Sequence, residues 1–238
     1  MSLCHPADGS VSCGSCCGLF NLKLDATGYK NILTERTNLF RKSVDFSIRH
    51  TIASFRQTRE QIENTITKHD EMTYNCPYLG YVDQHFSKIG CMIHPIFTGD
   101  PKSQNFSFYG TSICQSYDCK NKEHILTDLL ENVFLKVAKD SIEYSHLASD
   151  HILVFVLEVW LTRKGWSFSE GIKVFETLLM DIFLSRMKGK EKFYPTSFEI
   201  RYSNFTTDQE IYEYLDRVLC DGKKDQILSE MKKAPARE

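Results

Sequence analysis

Two stretches of this chain concentrate thiols where the pattern of a hydrophobic core is missing. Cys13-Gly-Ser-Cys16-Cys17 sits within about the first 24 residues, which are rich in Ser, Gly and Cys and show little periodic hydrophobicity. Cys76-Pro-Tyr-Leu and Gly90-Cys91-Met-Ile-His94 sit in a second stretch, punctuated by Pro77, Gly80, Gly90, Pro95, Gly99, Pro101 and Gly110. Segments of this kind bury little apolar surface, so a bound metal is expected to supply the stability that packing does not. Thiolates are strong ligands for zinc and for iron in clusters, and the ion itself drives their deprotonation at neutral pH.

Spacing sharpens the expectation. A loop of two to four residues between cysteines lets two sulfurs turn toward one ion. Cys13 and Cys16 meet that rule, and so do Cys114 and Cys119 downstream. Cys17 is unusual, because neighbouring side chains diverge unless the backbone turns sharply; Gly14 is expected to ease that turn by tolerating positive φ. Cys4, beside His5, adds a ligand from the N-terminal arm. The candidate metal ligands are therefore Cys4, Cys13, Cys16, Cys17, Cys76, Cys91, Cys114 and Cys119. One site of four with spectator thiols and two tetrahedral sites use this set equally well. Cys220, in an apolar helical context, reads as a small hydrophobe. His94, three residues after Cys91, reads as an imidazole hydrogen-bonded in the hairpin beside the ligands, with completion of a metal site as the alternative. His146, Asp150, His151 and Glu158 read as solvated helix ends, with a metal or acid-base site as the alternative.

Around these segments the chain is helical in pattern. Ile32, Leu33, Leu39 and Phe40, then Val44, Ile48, Ile52, Phe55, Ile62 and Ile66, recur at helical spacing and predict two helices, although Val44, Phe46 and Ile48 also alternate as a short strand would. Residues 76 to 119 read as hairpin and loop, with short runs at Tyr78 to Val82 and Cys91 to His94. After Asn121, Ile125, Leu126, Leu129, Leu130, Val133, Phe134 and Val137 predict a long amphipathic helix. Its expected partners are a helix over Ile152 to Leu161 and another from about Glu170 to Met187, with Gly165 and Gly189 at their ends. Thr207 and Glu210 have the form of a capping box, a final short helix follows Asp221-Gly222, and Phe198, Ile200 and Tyr202 alternate as one strand or an extended connection would. The expected fold is mainly α, a helical bundle with a small cysteine-rich, loop and hairpin metal-binding lobe. Residues 1–120 form the cysteine-rich region with two helices and residues 121–238 the bundle region.

Composition excludes several classes. The formal charge of −2, from 29 basic and 31 acidic residues in 238, gives no electrostatic reason for a nucleic acid or an anionic membrane as partner. The aromatic residues fall on core faces without interleaved basic runs, unlike a stacking platform for single-stranded nucleic acid. The longest apolar run, Ile152-Leu-Val-Phe-Val-Leu, is far short of the roughly 20 residues of a membrane helix. The first ten residues hold no apolar stretch of the exported kind, so the expected compartment is the reducing cytoplasm. An odd count of 9 cysteines, clustered in sequence, argues in the same direction against a disulfide framework.

The order Cys13-Gly-Ser-Cys16-Cys17-Gly-Leu-Phe, Cys76-Pro-Tyr-Leu and Gly90-Cys91-Met-Ile-His94 resembles the YkgJ-like cysteine-cluster family, described as a zinc- or iron-chelating domain. The resemblance spans roughly residues 10 to 95. Two departures bear on the ligands. The family commonly continues with Arg-Pro and a further cysteine, where this chain has Ile96-Phe-Thr-Gly-Asp-Pro101 and no cysteine until Cys114. Ser10 stands where an additional upstream cysteine is common. The resemblance implies binding of zinc, iron or an iron–sulfur cluster and little more. Flagellin lysine-N-methylases carry a similar cysteine cluster and supply an enzymatic alternative, an iron–sulfur or metal-dependent enzyme, although no glycine-rich methyl-donor loop after a strand is present here. A structural zinc module that engages a protein partner is the third expectation.

Overall fold

The computed structural model describes residues 3–6, 8–188 and 205–237. It is mainly helical, with a two-stranded sheet among the described residues. Two short 3-10 turns, Ser15–Cys17 and Leu19–Asn21, lead into α1 (Ala26–Ser43) and α2 (Arg49–Glu63). Asp25 caps α1 by accepting a hydrogen bond from the Gly28 N–H at 2.6 Å. The two helices expected here are present, and the alternating Val44, Phe46 and Ile48 are not a strand. Asp45 folds them into a tight turn, its carboxylate accepting from the Ser47 N–H at 2.9 Å, and Phe46 and Ile48 are exposed.

The hairpin follows as β1 (Leu79–Tyr81) and β2 (Ile89–Cys91), antiparallel, with Leu79 opposite Cys91 and Gly80 opposite Gly90. It lies against α1, where the Thr37 hydroxyl accepts from the Tyr81 N–H at 2.7 Å. Then come α3 (Pro95–Thr98), a 3-10 turn at Ser103–Phe106, α4 (Gly110–Ser116) and α5 (Lys120–Glu123). Buried Phe40, Ile52, Phe55, Tyr78 and Ile93 pack between α1, α2 and the hairpin. A second cluster on the other side of the hairpin gathers Phe20, Leu22, Ile32, Leu33, Leu79 and Ile89.

The remaining elements are α6 (Thr127–Val137), α7 (Ser141–Ser149), α8 (His151–Arg163), α9 (Phe168–Val174), α10 (Glu176–Lys188), α11 (Asp208–Val218) and α12 (Asp221–Lys233). They enclose one large apolar core centred on Phe134, Leu153, Leu157, Trp160, Ile182 and Leu215. Leu3 from the N-terminal arm is part of it. Several expectations change in detail. α6 starts only at Thr127, because His124 turns the chain by accepting from the Leu126 N–H through Nδ1 at 3.1 Å, and Ile125 is left exposed. The helix expected from Glu170 to Met187 is divided at Phe175, whose ring packs against Trp160 and Trp166. Gly165 does follow α8 with φ of 81°, the left-handed conformation that glycine adopts most readily. The Thr207 and Glu210 capping box is present. Gly189, Phe198, Ile200 and Tyr202 lie outside the described residues.

The group around Asp150 is not a set of solvated helix ends. His146 and Asp150 are buried, and Asp150 both caps α8 through the Leu153 N–H and pairs with Arg186 at 2.7 Å. His146 stacks on Phe20 with ring centroids 3.6 Å apart. A carboxylate that serves a helix start and a buried guanidinium at once can leave water, which explains its burial.

A second buried ion network ties α1, α2 and the start of the hairpin together. Arg36 donates through Nε to Glu63 at 2.8 Å and through Nη2 to the other carboxylate oxygen, and Arg59 donates to the same Glu63 at 2.8 Å. The remaining Arg36 nitrogen, Nη1, donates to the carbonyls of Cys76 at 3.1 Å and Leu79 at 3.3 Å. Removing one partner of such a pair strands the others in a low dielectric. Arg36→Ala is expected to lower the unfolding free energy by about 3–5 kcal/mol. Arg163→Ala, which removes an exposed pair with Asp208, should change it by less than about 1 kcal/mol. Urea titrations of the two variants check the contrast.

Candidate metal centre

The N-terminal thiols are carried on backbone that cannot form regular structure alone and is held by the rest of the fold. The Cys13 N–H donates to the Cys4 carbonyl at 2.9 Å, which brings the arm alongside the Cys13 turn. Helix α7 then anchors this pair of segments. Ser141 Oγ accepts from the Ser12 N–H and Ser145 Oγ from the Gly14 N–H, both at 3.0 Å, while the Tyr144 hydroxyl donates to the Leu3 carbonyl at 2.8 Å. The Ser12 hydroxyl donates to the carbonyl of Ile89 in β2 at 2.6 Å.

Gly14 does not supply the positive φ expected of it. Its φ is −124°, and its role is steric: a Cβ there would lie 2.7 Å from the Leu79 side chain and 3.0 Å from that of Ile89. The left-handed residue is Gly18, with φ of 78°, where a Cβ would fall 2.2 Å from the Tyr74 carbonyl oxygen. That close approach lets the Cys76 N–H donate to the Cys17 carbonyl at 2.9 Å, joining thiols 59 residues apart in sequence (76 minus 17).

Cys76 is buried at the foot of the hairpin, and Cys91 ends β2. Ser107 Oγ lies 3.5 Å from Cys76 Sγ, and Gln104 Nε2 donates to Cys91 Sγ at 3.9 Å. Cys114 lies on α4, whose Gln115 side chain bonds Gln104 at 3.1 Å. Cys119 precedes α5 and accepts through its carbonyl from the N–H groups of Lys122 and Glu123. Asn121 fixes this turn to α7 by donating to the Ala148 carbonyl at 3.1 Å.

Seven of the eight candidate cysteines, all but Cys119, line one cavity of about 590 Å³. Its wall also carries His5, His94, Tyr109, Tyr117 and Lys122, and its apolar side Ile96, Phe97 and Ile113. Cys119 stands close enough to interact electrostatically with Cys4 and Cys13. All nine cysteines are free thiols, and Cys220 is remote, its N–H bonded to Ser185 beside α10. Cys220 is half-buried at the start of α12, not fully enclosed. His94 lines the cavity while its Nδ1 accepts from the Ile96 N–H at 3.2 Å. Among the described residues no three His, Cys, Asp or Glu side chains converge closely enough to hold an ion as they stand. The thiols surround a space; they do not meet at a point.

Their electrostatics differ. Burial pushes Cys4 and Cys91 up to about 12 and Cys114 up to about 11, and raises Cys13 and Cys119. Cys17 is raised because it donates to both Cys16 and Cys76, and that donation lowers both acceptors, with Ser107 and Arg36 adding to the effect at Cys76. An apolar, desolvated pocket favours protonated thiols, and a bound cation would reverse that preference. The donor set is chemically suited to zinc or iron, since soft sulfur ligands dominate it.

The chain matches no family model, no curated protein and no solved structure. The resemblance to cysteine-cluster proteins therefore stands on its motifs alone. Sequence reasoning did not anticipate Ser107 and Gln104, which reach the thiols of Cys76 and Cys91, Ser141 and Ser145, which hold the backbone beside Cys13 from α7, or Lys122, whose charge acts on Cys4 from the turn after Cys119; none of these sits in a motif. In metal-free protein near neutral pH, Cys16, exposed and with a lowered pKa, is expected to alkylate several-fold faster than half-buried, raised Cys91. Timed iodoacetamide labelling with peptide mass spectrometry gives the two rates.

Proposed function

We propose that this protein is a thiolate metal-binding protein, taking zinc or iron, the latter alone or as an iron–sulfur cluster, in a cysteine-rich lobe packed against the helical bundle. The observation that carries the reading is the gathering of seven cysteines from four separate chain segments around one cavity, with the eighth beside them. Eight thiols in one place, all but Cys16 buried or half-buried, are not a packing solution for a small hydrophobe, since aliphatic side chains fill such a space without reactivity. When bound, the metal supplies positive charge that holds the thiolates and cross-links the segments.

The residues of the chain have defined parts in this reading. Arg36 and Ser107 support the Cys76 loop and favour its thiolate. Ser141, Ser145 and Tyr144 hold the N-terminal arm in place, and Gly14 and Gly18 allow it to approach the hairpin and the Tyr74 segment. A second reading, a metal-dependent or iron–sulfur enzyme, is favoured by the volume beside the thiols and by His5, His94, Tyr109 and Lys122 on its wall, which give a bound molecule both proton-transfer and charged contacts.

Protein purified without oxygen is expected to carry zinc or iron in at least stoichiometric amount by elemental analysis. Cys16→Ser and Cys76→Ser should each lose bound metal and melt at lower temperature, while Cys220→Ser keeps the wild-type metal content. Full metal and unchanged melting in both cavity variants would sink the reading. Iron with acid-labile sulfide and a brown chromophore would favour the enzymatic form, and colourless zinc protein the structural one.

A further inference from the structure

We infer that the eight thiols serve two four-cysteine centres, Cys4, Cys13, Cys16 and Cys119 in one and Cys17, Cys76, Cys91 and Cys114 in the other, so that the adjacent Cys16 and Cys17 separate. The inference rests on the thiolate-metal reading and specifies which sulfurs share a metal. Its basis is that the backbone holding the cysteines is organised by two different supports.

The first support is α7. Three of its residues hold the segments that bear three of the cysteines: Tyr144 binds the carbonyl of Leu3, next to Cys4; Ser145 binds the N–H of Gly14, next to Cys13; and the Ala148 carbonyl binds Asn121, two residues after Cys119. The Cys13 N–H also bonds directly to the Cys4 carbonyl at 2.9 Å. Cys119 lies within electrostatic reach of Cys4 and Cys13, and all three within reach of Cys16, which borders the other set as well through Cys76 and Cys114. Cys16 follows Cys13 by the two-residue loop that brings two sulfurs onto one ion.

The second support is the hairpin with α4 and the turn before it. Cys76 leads into β1 and Cys91 ends β2 opposite Leu79, so both stand at one end of the sheet. Ser107 touches the Cys76 thiol and acts electrostatically on that of Cys114, and the Gln104 side chain links Cys91 to Gln115, next to Cys114. Cys17 belongs with this set by its carbonyl bond to the Cys76 N–H and by the hydrogen bond between the two thiols. No equivalent backbone bond runs from the Cys13–Cys16 loop to α4 among those that join the described segments. Cys16 is paired by spacing with Cys13 and Cys17 by its backbone with Cys76, which assigns the two neighbours to adjoining centres. Cys16 and Cys17 are themselves hydrogen-bonded, so the two centres would be immediate neighbours.

Paired substitutions test the division, with total zinc and iron per chain measured on full-length protein purified without oxygen. Cys13→Ser with Cys119→Ser, and separately Cys91→Ser with Cys114→Ser, should each retain about half the wild-type metal, because each pair disables one centre. Cys13→Ser with Cys91→Ser should retain almost none. A within-set pair that empties the protein, or a cross-set pair that keeps half, overturns the division while leaving the metal-binding reading intact. Wild-type protein that takes up no zinc and no iron overturns both. Should a variant fail to fold, wild-type protein partly stripped with EDTA and pulse-alkylated gives the same information. With each thiol's rate divided by its rate in fully metal-free protein, Cys4, Cys13, Cys16 and Cys119 should lose protection together and to a different extent from Cys17, Cys76, Cys91 and Cys114; equal loss at all eight, or loss in mixed sets, refutes the assignment.

Discussion

The buried guanidinium of Arg36 is the contact on which the arrangement of the thiols depends. It is one of the few groups that can satisfy three elements at once, because its nitrogens are fixed in a plane and can point at a carboxylate and at backbone carbonyls together. Glu63 takes two of its bonds and the carbonyls of Cys76 and Leu79 take the rest. The Cys76-Pro-Tyr-Leu turn therefore has its carbonyls paired before any metal is considered. Glu63 is shared with Arg59, so the charge balance of the network is set between α1 and α2 and transmitted to the hairpin.

Around that fixed turn, the N-terminal segment is assembled from the outside. It has almost no core of its own, apart from Leu3, Leu19, Phe20 and Leu22, and these are divided between two apolar clusters. What aligns it is polar: the serine and tyrosine hydroxyls of α7, the carbonyls of β2 and of Cys4, and Asn21, whose amide donates to the carbonyls of Asp70 at 2.8 Å and Thr73 at 2.9 Å. Hydrogen bonds of this kind each contribute about 0.5–1.5 kcal/mol net, so they specify position more than they drive folding. A segment held by specificity and not by burial is suited to presenting reactive side chains, since its stability does not require them to be apolar.

Much of the helical half was legible because its signals are local. Thr207 with Glu210 encodes its own helix start, and Gly165 its own helix end. The 3.6-residue period located α6, whose Leu130, Val133, Phe134 and Val137 end in one core, and an uninterrupted apolar run located α8. Failures came where a distant partner decides the outcome. Phe175 breaks a continuous helical pattern to meet two tryptophans, and Asp150 is buried because Arg186, 36 residues away, pairs with it. At the thiols the sequence named the residues but not their neighbours. Spacing joins Cys114 to Cys119, whereas the fold turns one toward Cys76 through Ser107 and the other toward Cys4 through Asn121 and α7. Glycine chemistry misled in a similar way: both glycines flanking the Cys16 and Cys17 turn are required, but Gly18 carries the positive φ and Gly14 the close approach.

The electrostatics of the cavity connect these observations to the proposed chemistry. Burial opposes thiolate formation at Cys4, Cys13, Cys91 and Cys114, and among the described residues that line the cavity only Lys122 brings a permanent positive charge. Lys122 is itself paired with Asp118, so little of its charge is left for the sulfurs. Eight thiolates in such a place would repel one another strongly at low dielectric, and protonation is the cheaper state until a cation enters. Metal binding must then displace protons from most of these sulfurs, and affinity should rise steeply with pH. Cys16 and Cys76 are the exceptions, lowered by the Cys17 thiol that lies between them. One stands in each of the two proposed centres, which gives each set a single sulfur already lowered and three that lose their protons once the charge has been supplied.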